Sequence, residues 1–131
     1  MKNNITTFSR RLIFTFLSLF TVFCTIITIK AATYSLTQYS SVSNTGGSCN
    51  VQCIGSYYSS GNTRWSSSCS TYNWSSYTRS AVASSPVLYI PSDTYMRSST
   101  TVSITGSDYS FGSTSKYFYF AYSNGAVRSG W

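Results

Sequence analysis

The near absence of strong helix formers beyond residue 32 is the feature that most constrains this chain. That part contains no Glu, one Lys, two Leu and one Met, whereas Ser, Thr, Tyr and Val are frequent. β-branched and aromatic residues fit the pleated surface of a sheet, and Gly and Asn recur at the spacing of turns between short strands. A sandwich or a barrel follows. We expect an all-β fold, a small antiparallel β-sandwich of short strands that ends in a C-terminal hairpin.

The same pattern predicts where the strands lie. Pro86 and Pro91 bracket the run VLYI, which indicates a short strand near a sheet edge because proline cannot donate a ladder hydrogen bond. Residues 100–105 alternate, which gives one apolar face and one hydroxyl face. The candidate strands are 34–39, 51–58, 64–69, 71–77, 87–90, 101–105, 116–122 and 126–131.

The N-terminal segment is predicted to direct export. Residues 1–11 carry three basic side chains and no acidic one, and residues 12–29 form an apolar run of 18 residues without a charge. This is the pattern of a secretory signal peptide, here an N-terminal helix over 1–31 with cleavage after Ala31. The run is long for a signal, so an uncleaved anchor is the alternative. In either case residues 32–131 form a single exported β domain, secreted or anchored facing outward.

The charge of the exported part is mildly positive. Five basic residues against two acidic ones leave +3 beyond residue 31. A nucleic-acid-binding domain usually has a denser basic patch, so we expect no nucleic-acid partner. A modest positive charge suits an anionic cell envelope or an acidic polymer, and it also serves solubility alone.

The exported cysteines are Cys49, Cys53 and Cys69, an odd number. In an extended strand Cys49 and Cys53 would be about 13 Å apart, too far for a disulfide. A hairpin that closes on residues 60–62 pairs positions whose numbers sum to 122. This register places Cys53 opposite Cys69. We therefore predict a Cys53–Cys69 disulfide, with Cys49–Cys69 as the alternative.

The chain offers little that could carry catalysis or hold a metal. It contains no His, and no Glu that could activate a serine or a cysteine. Asp93 and Asp108 lie in PSDTY and TGSDY, where Asp typically hydrogen-bonds its own backbone. Three cysteines without histidine fall short of the four ligands of zinc. We expect a protein that is not an enzyme and that uses no metal or cofactor.

Alternate residues of the last segment are predicted to lie on opposite faces of a hairpin. Asn124 and Gly125 favour a two-residue type I′ turn, in which positions summing to 249 face each other. The face predicted for the core contains Phe118, Phe120, Tyr122, Val127 and Trp131. The opposite face is a candidate contact surface formed by Tyr117, Tyr119 and Arg128.

The layout resembles that of the lactococcin 972 type of bacteriocin. The likeness covers roughly residues 70–122: the stretch YNWSSYTRSAV at 72–82, an Arg-led alternating strand at 97–104, and a closing strand rich in Tyr and Phe. The resemblance implies export by a signal peptide, a β-sandwich, and inhibition of septum cell-wall synthesis through lipid II. The chain departs from the family in lacking His and in having three exported cysteines, so no binding residue is carried over.

Two functional hypotheses follow. The first is a secreted, non-enzymatic protein that binds a component of a bacterial cell envelope, such as lipid II or a wall glycan, as a bacteriocin-like antimicrobial. Its membrane contact would be limited to an uncleaved N-terminal segment. The alternative is a cell-surface structural or adhesion protein, in which the third cysteine and the many Tyr and Ser side chains make intermolecular contacts.

Overall fold

A computed structural model of the protein describes residues 31–130, and these residues form eight β-strands. The predicted signal segment, including its helix, lies outside the described residues, as does Trp131. Of the described residues, none belongs to a helix long and apolar enough to span a membrane. The strands are β1 (Thr33–Asn44), β2 (Gly47–Tyr58), β3 (Trp65–Tyr72), β4 (Thr78–Ala83), β5 (Val87–Ser92), β6 (Tyr95–Gly106), β7 (Phe111–Ser123) and β8 (Ala126–Ser129).

The strands form two antiparallel sheets that share one core. The first sheet, sheet A, has the order β1-β2-β3. The second, sheet B, has the order β4-β6-β7-β8, and β5 also pairs with β6. Strand β7 pairs with one edge of β6. The other edge of β6 is shared by β5, along residues 95–99, and β4, along residues 102–106. The buried residues come from both sheets, which confirms the all-β fold with a sandwich-like packing.

Alternation along β6 shows how the sequence sets the two faces of sheet B. Its even-numbered residues from Met96 to Ile104 are buried, and its odd-numbered residues are exposed or half-buried. The prediction for 100–105 is therefore confirmed. Thr100 on this face is polar and yet only 1 % exposed. Its hydroxyl donates to the Ser84 carbonyl oxygen at 2.8 Å. A buried hydroxyl is tolerated when it has such a partner.

Aromatic side chains fill one end of the core. Tyr57 stacks on Tyr122 with 3.9 Å between ring centroids, and its edge meets the indole of Trp65 at 5.0 Å. Trp65 is 1 % exposed and donates its Nε1–H to the Asp93 carbonyl oxygen at 3.0 Å. This bond satisfies the one polar group of a buried indole and ties β3 to the turn between β5 and β6.

The register of the β2–β3 hairpin is as predicted, but its loop is longer. Cys53 lies opposite Cys69 and Tyr57 opposite Trp65. The last backbone bond runs from the Tyr58 amide to the Arg64 carbonyl oxygen, so the loop covers 59–63 instead of 60–62. The amide of residue 59 is used elsewhere, on the carbonyl oxygen of residue 32. Residue 61 at the centre is a glycine with φ of 104°, a conformation that glycine adopts at little cost.

The C-terminal hairpin also follows the prediction. Tyr122 pairs with Val127 and Phe120 with Ser129. The turn residues Asn124 and Gly125 both have positive φ, 50° and 75°, as a type I′ turn requires. The predicted opposition of residues 118 and 131 lies outside the described residues.

Two strand predictions were wrong. The proposed strand at 71–77 does not exist: β3 ends at Tyr72, Asn73 takes a positive φ of 48°, and a turn closes from the Thr78 amide to the Ser75 carbonyl oxygen. The strand that follows this turn, β4, was missed. The strands are also not uniformly short, since β1, β2 and β6 have 12 residues and β7 has 13. Single glycines such as Gly55 are accommodated inside a strand and do not end it.

Strand β5 behaves as the flanking prolines predicted. It pairs on one side only, with β6, and therefore lies at an edge. The pairing shifts register between Tyr89 and Ser92, and Pro91 lies within this irregularity. Proline is compatible with a sheet at such a position because no ladder hydrogen bond is required of it.

Candidate functional site

The outer surface of sheet B presents a group of tyrosines and arginines at one end. The cross-strand pairs are Tyr89 with Arg97, Arg97 with Tyr119, and Ala121 with Arg128. Strand parity places all of these side chains on the side away from the core. We call this surface the Tyr–Arg face and define it as Tyr89, Tyr95, Arg97, Tyr117, Tyr119 and Arg128.

The predicted contact residues Tyr117, Tyr119 and Arg128 all lie on this face. Tyr117 is 53 % exposed and Tyr119 37 %, while their neighbours in the chain, Phe118 and Phe120, are buried. Arg128 is exposed and Val127 beside it is buried. The aromatic run at the C-terminus therefore divides between the core and the surface, as its parity predicted.

Arg97 lies at the centre of the face and was missed as a site residue. Its guanidinium carbon is 5.0 Å from the ring centroid of Tyr89 and 5.5 Å from that of Tyr117. Both distances are within the range of cation–π attraction. The Arg97 Nε atom is buried and has no hydrogen-bond partner among residues 31–130. An arginine held between two rings with an unpaired donor differs from a solvated surface arginine.

A shallow pocket adjoins the Tyr–Arg face where β7 and β8 meet. Its volume is about 300 Å³, and its lining includes Tyr95, Ala121, Arg128 and Ser129. Space remains there because the residue opposite Arg128 is Ala121, whose side chain is small. The pocket extends the Tyr–Arg face onto β8, the last strand in the order of sheet B.

The charges are distributed unequally between the sheets. Strands β1, β2 and β3 contain no charged residue. Sheet B carries Arg79, Arg97, Lys116 and Arg128 in its strands. Both acidic residues lie in turns, at 93 and 108, at the two ends of β6. With these turns, sheet B carries four positive and two negative charges, a net +2, while sheet A has only Arg64, in the loop before β3. The basic side chains on the strands of sheet B therefore favour an anionic ligand on its surface, away from the acidic turns.

A second group of reactive side chains lies inside the sandwich, and we call it the sulfur site. It consists of Cys53, Cys69, Ser67 and Ser98. The two Sγ atoms are 2.6 Å apart and belong to separate thiols. The Ser98 hydroxyl, from sheet B, lies 3.4 Å from the Cys53 sulfur and 2.7 Å from the Ser67 hydroxyl oxygen. The site therefore connects the two sheets through polar contacts.

Backbone parity makes this position suitable for a crosslink. The bond from the Tyr58 amide to the Arg64 carbonyl oxygen marks a hydrogen-bonded pair. Because hydrogen-bonded and non-hydrogen-bonded pairs alternate along an antiparallel ladder, Cys53 and Cys69 form a non-hydrogen-bonded pair. Opposite Cα atoms are about 4.5 Å apart in such pairs, which is inside the range that disulfides span.

The two thiols of the sulfur site have opposite proton affinities. The hydrogen bond from the Cys69 thiol lowers the pKa of Cys53 to about 6, and the Ser67 and Ser98 hydroxyls act in the same direction. The same bond, together with burial, raises the pKa of Cys69. Cys53 is thus the sulfur that becomes a thiolate first, and a thiolate is the nucleophile in disulfide chemistry.

Cys49 takes no part in the sulfur site. It is 3 % exposed and pairs with Val42 on β1, and burial raises its pKa. The strand rise places it about 13 Å from Cys53, whose direct neighbour on β3 is Cys69. The geometry therefore does not bring Cys49 to Cys69, and it leaves Cys49 inaccessible to a second molecule.

The two carboxylates do not form a pair. Asp108 accepts a hydrogen bond from the Ser110 amide at 2.9 Å, the local turn contact expected from TGSDY. Asp93 lies in the turn before β6 and Asp108 in the turn after it. Twelve residues of β6 separate them, a span of roughly 35 Å or more. They cannot act on one substrate atom as acid and base. Within residues 31–130, no group of three or more His, Cys, Asp or Glu could hold a metal ion.

No protein-family model, curated protein or solved structure matches the chain. The resemblance to the lactococcin 972 type therefore stays a prediction from the layout of the sequence.

Proposed function

We propose that the protein is a secreted, non-enzymatic binding protein that acts on a bacterial cell envelope as a bacteriocin-like antimicrobial, with a wall glycan or lipid II as its partner. The observation that carries this proposal is the Tyr–Arg face. It combines exposed rings with basic side chains on one side of the sandwich, and no acidic residue belongs to it.

The chemistry of the face suits an envelope ligand. Tyrosine rings offer wide, stiff, amphipathic surfaces at a low cost in side-chain entropy. Arginine adds a planar fork of donors that matches carboxylate or phosphate groups. A β-sheet holds these groups at fixed spacing, which supports a rigid, largely pre-formed site.

A pull-down with envelope material tests the proposal. The purified full chain is incubated with isolated bacterial cell walls and with lipid II vesicles, and growth of indicator strains is scored in parallel. We expect retention by at least one material. Changing Tyr117→Ser should weaken retention about 10-fold, because a central interface aromatic contributes more than about 1 kcal/mol.

Tyr39→Ser is the matched control. Tyr39 is also an exposed strand tyrosine, 65 % exposed, but it lies on the outer surface of sheet A. Its replacement should leave retention unchanged. If the full chain is neither retained by any envelope material nor inhibitory to any strain, the proposal is refuted. Equal losses in both variants would refute the assignment to the Tyr–Arg face.

We also propose that Cys53 and Cys69 form a disulfide once the chain is exported, where oxidising conditions favour disulfides. Cys53 is fully buried, so an external protein or small-molecule disulfide meets the half-buried Cys69 first. The Cys69 thiol passes its proton to the Cys53 thiolate, to which it is hydrogen-bonded, and attacks the external disulfide; the departing sulfur takes that proton and leaves as one thiol. The Cys53 thiolate then attacks the Cys69 sulfur and releases the second thiol. The protein loses two electrons and two protons, and the external disulfide gains them.

The burial of Cys49 bears on the structural or adhesion alternative. That hypothesis used the third cysteine for intermolecular links, and a side chain that is 3 % exposed cannot provide them without unfolding. The alternative then depends on the tyrosines and serines alone. A protein that remains monomeric in light scattering at high concentration would exclude it.

A further inference from the structure

Resting on the proposed function, we propose that the Tyr–Arg face selects polyanionic glycans, with Arg97 as the residue that recognises the charged group of the repeating unit. The charged group is a carboxylate or a phosphate, the two anions that the guanidinium fork binds in the same planar manner. The tyrosine rings flanking Arg97 take the sugar rings on either side.

The position of Arg97 supports a ligand role. Its guanidinium is held by Tyr89 on β5 and Tyr117 on β7, so its orientation is set before a ligand arrives. A guanidinium has five N–H donors, and the buried Nε donor has no partner within residues 31–130. An unpaired buried donor is unfavourable. Because Nε is closed to solvent while the side chain as a whole is half-buried, an anion would accept from the two terminal nitrogens, in the end-on geometry of the guanidinium fork.

The spacing of the basic groups favours a polymer over a small anion. Arg97 and Arg128 are separated by two strand spacings and two residues along the strand, from the pairing of β6, β7 and β8. This places their Cα atoms about 12 Å apart. A small anion reaches one of them, whereas a chain with repeated charges meets both. Sheet A offers such a chain less charge, because its strands have no charged residue and the guanidinium of Arg64, in the loop before β3, donates to the Ser59 carbonyl oxygen.

Arg79 provides a matched control. Its guanidinium also stacks on a tyrosine, with 4.7 Å to the ring centroid of Tyr109. It lies on β4, toward the opposite end of β6 from the Tyr–Arg face. Arg79→Ala removes the same charge and the same type of ring contact. Any effect of Arg97→Ala beyond that of Arg79→Ala is therefore local to the face.

The test measures binding of the purified full chain to three defined polymers by calorimetry. They are polygalacturonate, a glycan with carboxylates, phosphomannan, a glycan with phosphates, and neutral dextran. We expect binding to one or both charged polymers, at least 10-fold tighter than to dextran, and weakening by added salt. Arg97→Ala should weaken binding about 10-fold or more, as loss of charge-assisted hydrogen bonds does, and Arg79→Ala less than 3-fold.

Each outcome separates this inference from the proposed function. Binding to only one charged polymer supports the inference and identifies the anion. Equal binding to dextran overturns the anion selectivity while envelope binding stands. Retention by cell walls without binding to any of the three polymers also overturns it. Absence of binding to polymers and to envelope material overturns both proposals.

Arg97→Lys guards against a variant that fails to fold. Lysine keeps the charge and the stem but loses the planar fork, so affinity should fall between those of the wild type and Arg97→Ala. Thermal unfolding of each variant shows that the domain is folded at the temperature of the titration. An Arg97→Lys protein that is folded and binds as tightly as the wild type would refute recognition by the guanidinium fork.

Discussion

Reduction of the Cys53–Cys69 pair is expected to lower the stability of the domain substantially. The two residues form a non-hydrogen-bonded pair with their sulfurs 2.6 Å apart, so closing the bond requires little movement of β2 and β3. The folded state therefore changes little on oxidation. The main effect is on the unfolded chain, whose freedom the crosslink restricts.

The size of the effect follows from the separation of the two cysteines. They are 16 positions apart in the chain, and closing a loop of that length corresponds to about 3 kcal/mol at 25 °C. For a domain of this size, 1 kcal/mol shifts the melting temperature by about 4–8 °C. Reduction should then lower the melting temperature by roughly 12–24 °C.

The assay compares one protein in two redox states. The exported chain is purified without reductant, its intact mass is measured for the loss of two hydrogen atoms, and thermal unfolding is recorded with and without reductant. Cys53→Ser should abolish both the mass difference and the reductant effect. Cys49→Ala should keep both, because Cys49 is buried beside Val42 and outside the sulfur site. Loss of the mass difference in Cys49→Ala and its survival in Cys53→Ser would refute the pairing.

Two further substitutions test the core and the turn after β6. In Gly55→Ala the new Cβ would lie 2.6–2.7 Å from ring carbons of the fully buried Phe120, so we expect about 1–3 kcal/mol of destabilisation in urea unfolding. When Phe120→Leu is added, the double variant should lose less free energy of unfolding than the sum of the losses in the two single variants. Strictly additive losses would contradict the steric explanation. Hydrogen bonds from the Ser110 hydroxyl, and then from Tyr77, lower the pKa of Asp108 from 3.8 to about 2. Because the pKa of Asp108 is lower in the folded state, its ionised carboxylate stabilises the fold at pH values above the pKa of the unfolded chain. The melting temperature of Asp108→Asn should therefore be lower than that of the wild type at neutral pH. The difference in melting temperature between the two proteins should disappear as the pH falls from 3.8 toward 2. A difference that does not change with pH would refute stabilisation by the ionised carboxylate.

Local sequence rules predicted the two hairpins because each depends on a few neighbouring residues. The Asn-Gly pair at 124–125 sets the register of β7 and β8, and from it the burial of Phe118 and Phe120 and the exposure of Tyr117. The alignment of the two cysteines followed from the loop around residue 61, although the loop itself is longer than predicted. The predicted pairing was still correct because the loop is longer by one residue on each side, residues 59 and 63.

The prediction failed where the chain leaves a strand without a strong turn signal. Asn73 in NWSSY takes a positive φ, which Asn adopts more readily than most residues, but a single Asn among strand-forming residues is a weak turn signal. The loop that follows is also held by contacts distant in sequence. Among these, the amide of Ser75 donates to the Ser48 carbonyl oxygen on β2. Arg97 was missed for a related reason. Its rings come from β5 and β7, and no local pattern gives the register of β5 against β6.

The sulfur site and the Tyr–Arg face meet on β6, and this determines how far one affects the other. Ser98 points inward and contacts both cysteine sulfurs, at 3.4 and 3.9 Å, while Arg97 beside it points outward between its two rings. The crosslink joins β2 to β3 and includes no atom of β6. Its closing therefore reaches Arg97 through the packing of β2 and β3 against β6, which includes the hydroxyl contacts of Ser98, whereas the rings that orient Arg97 belong to sheet B itself. Oxidation should raise the melting temperature of the domain without a comparable gain in glycan affinity at temperatures where both redox states are folded.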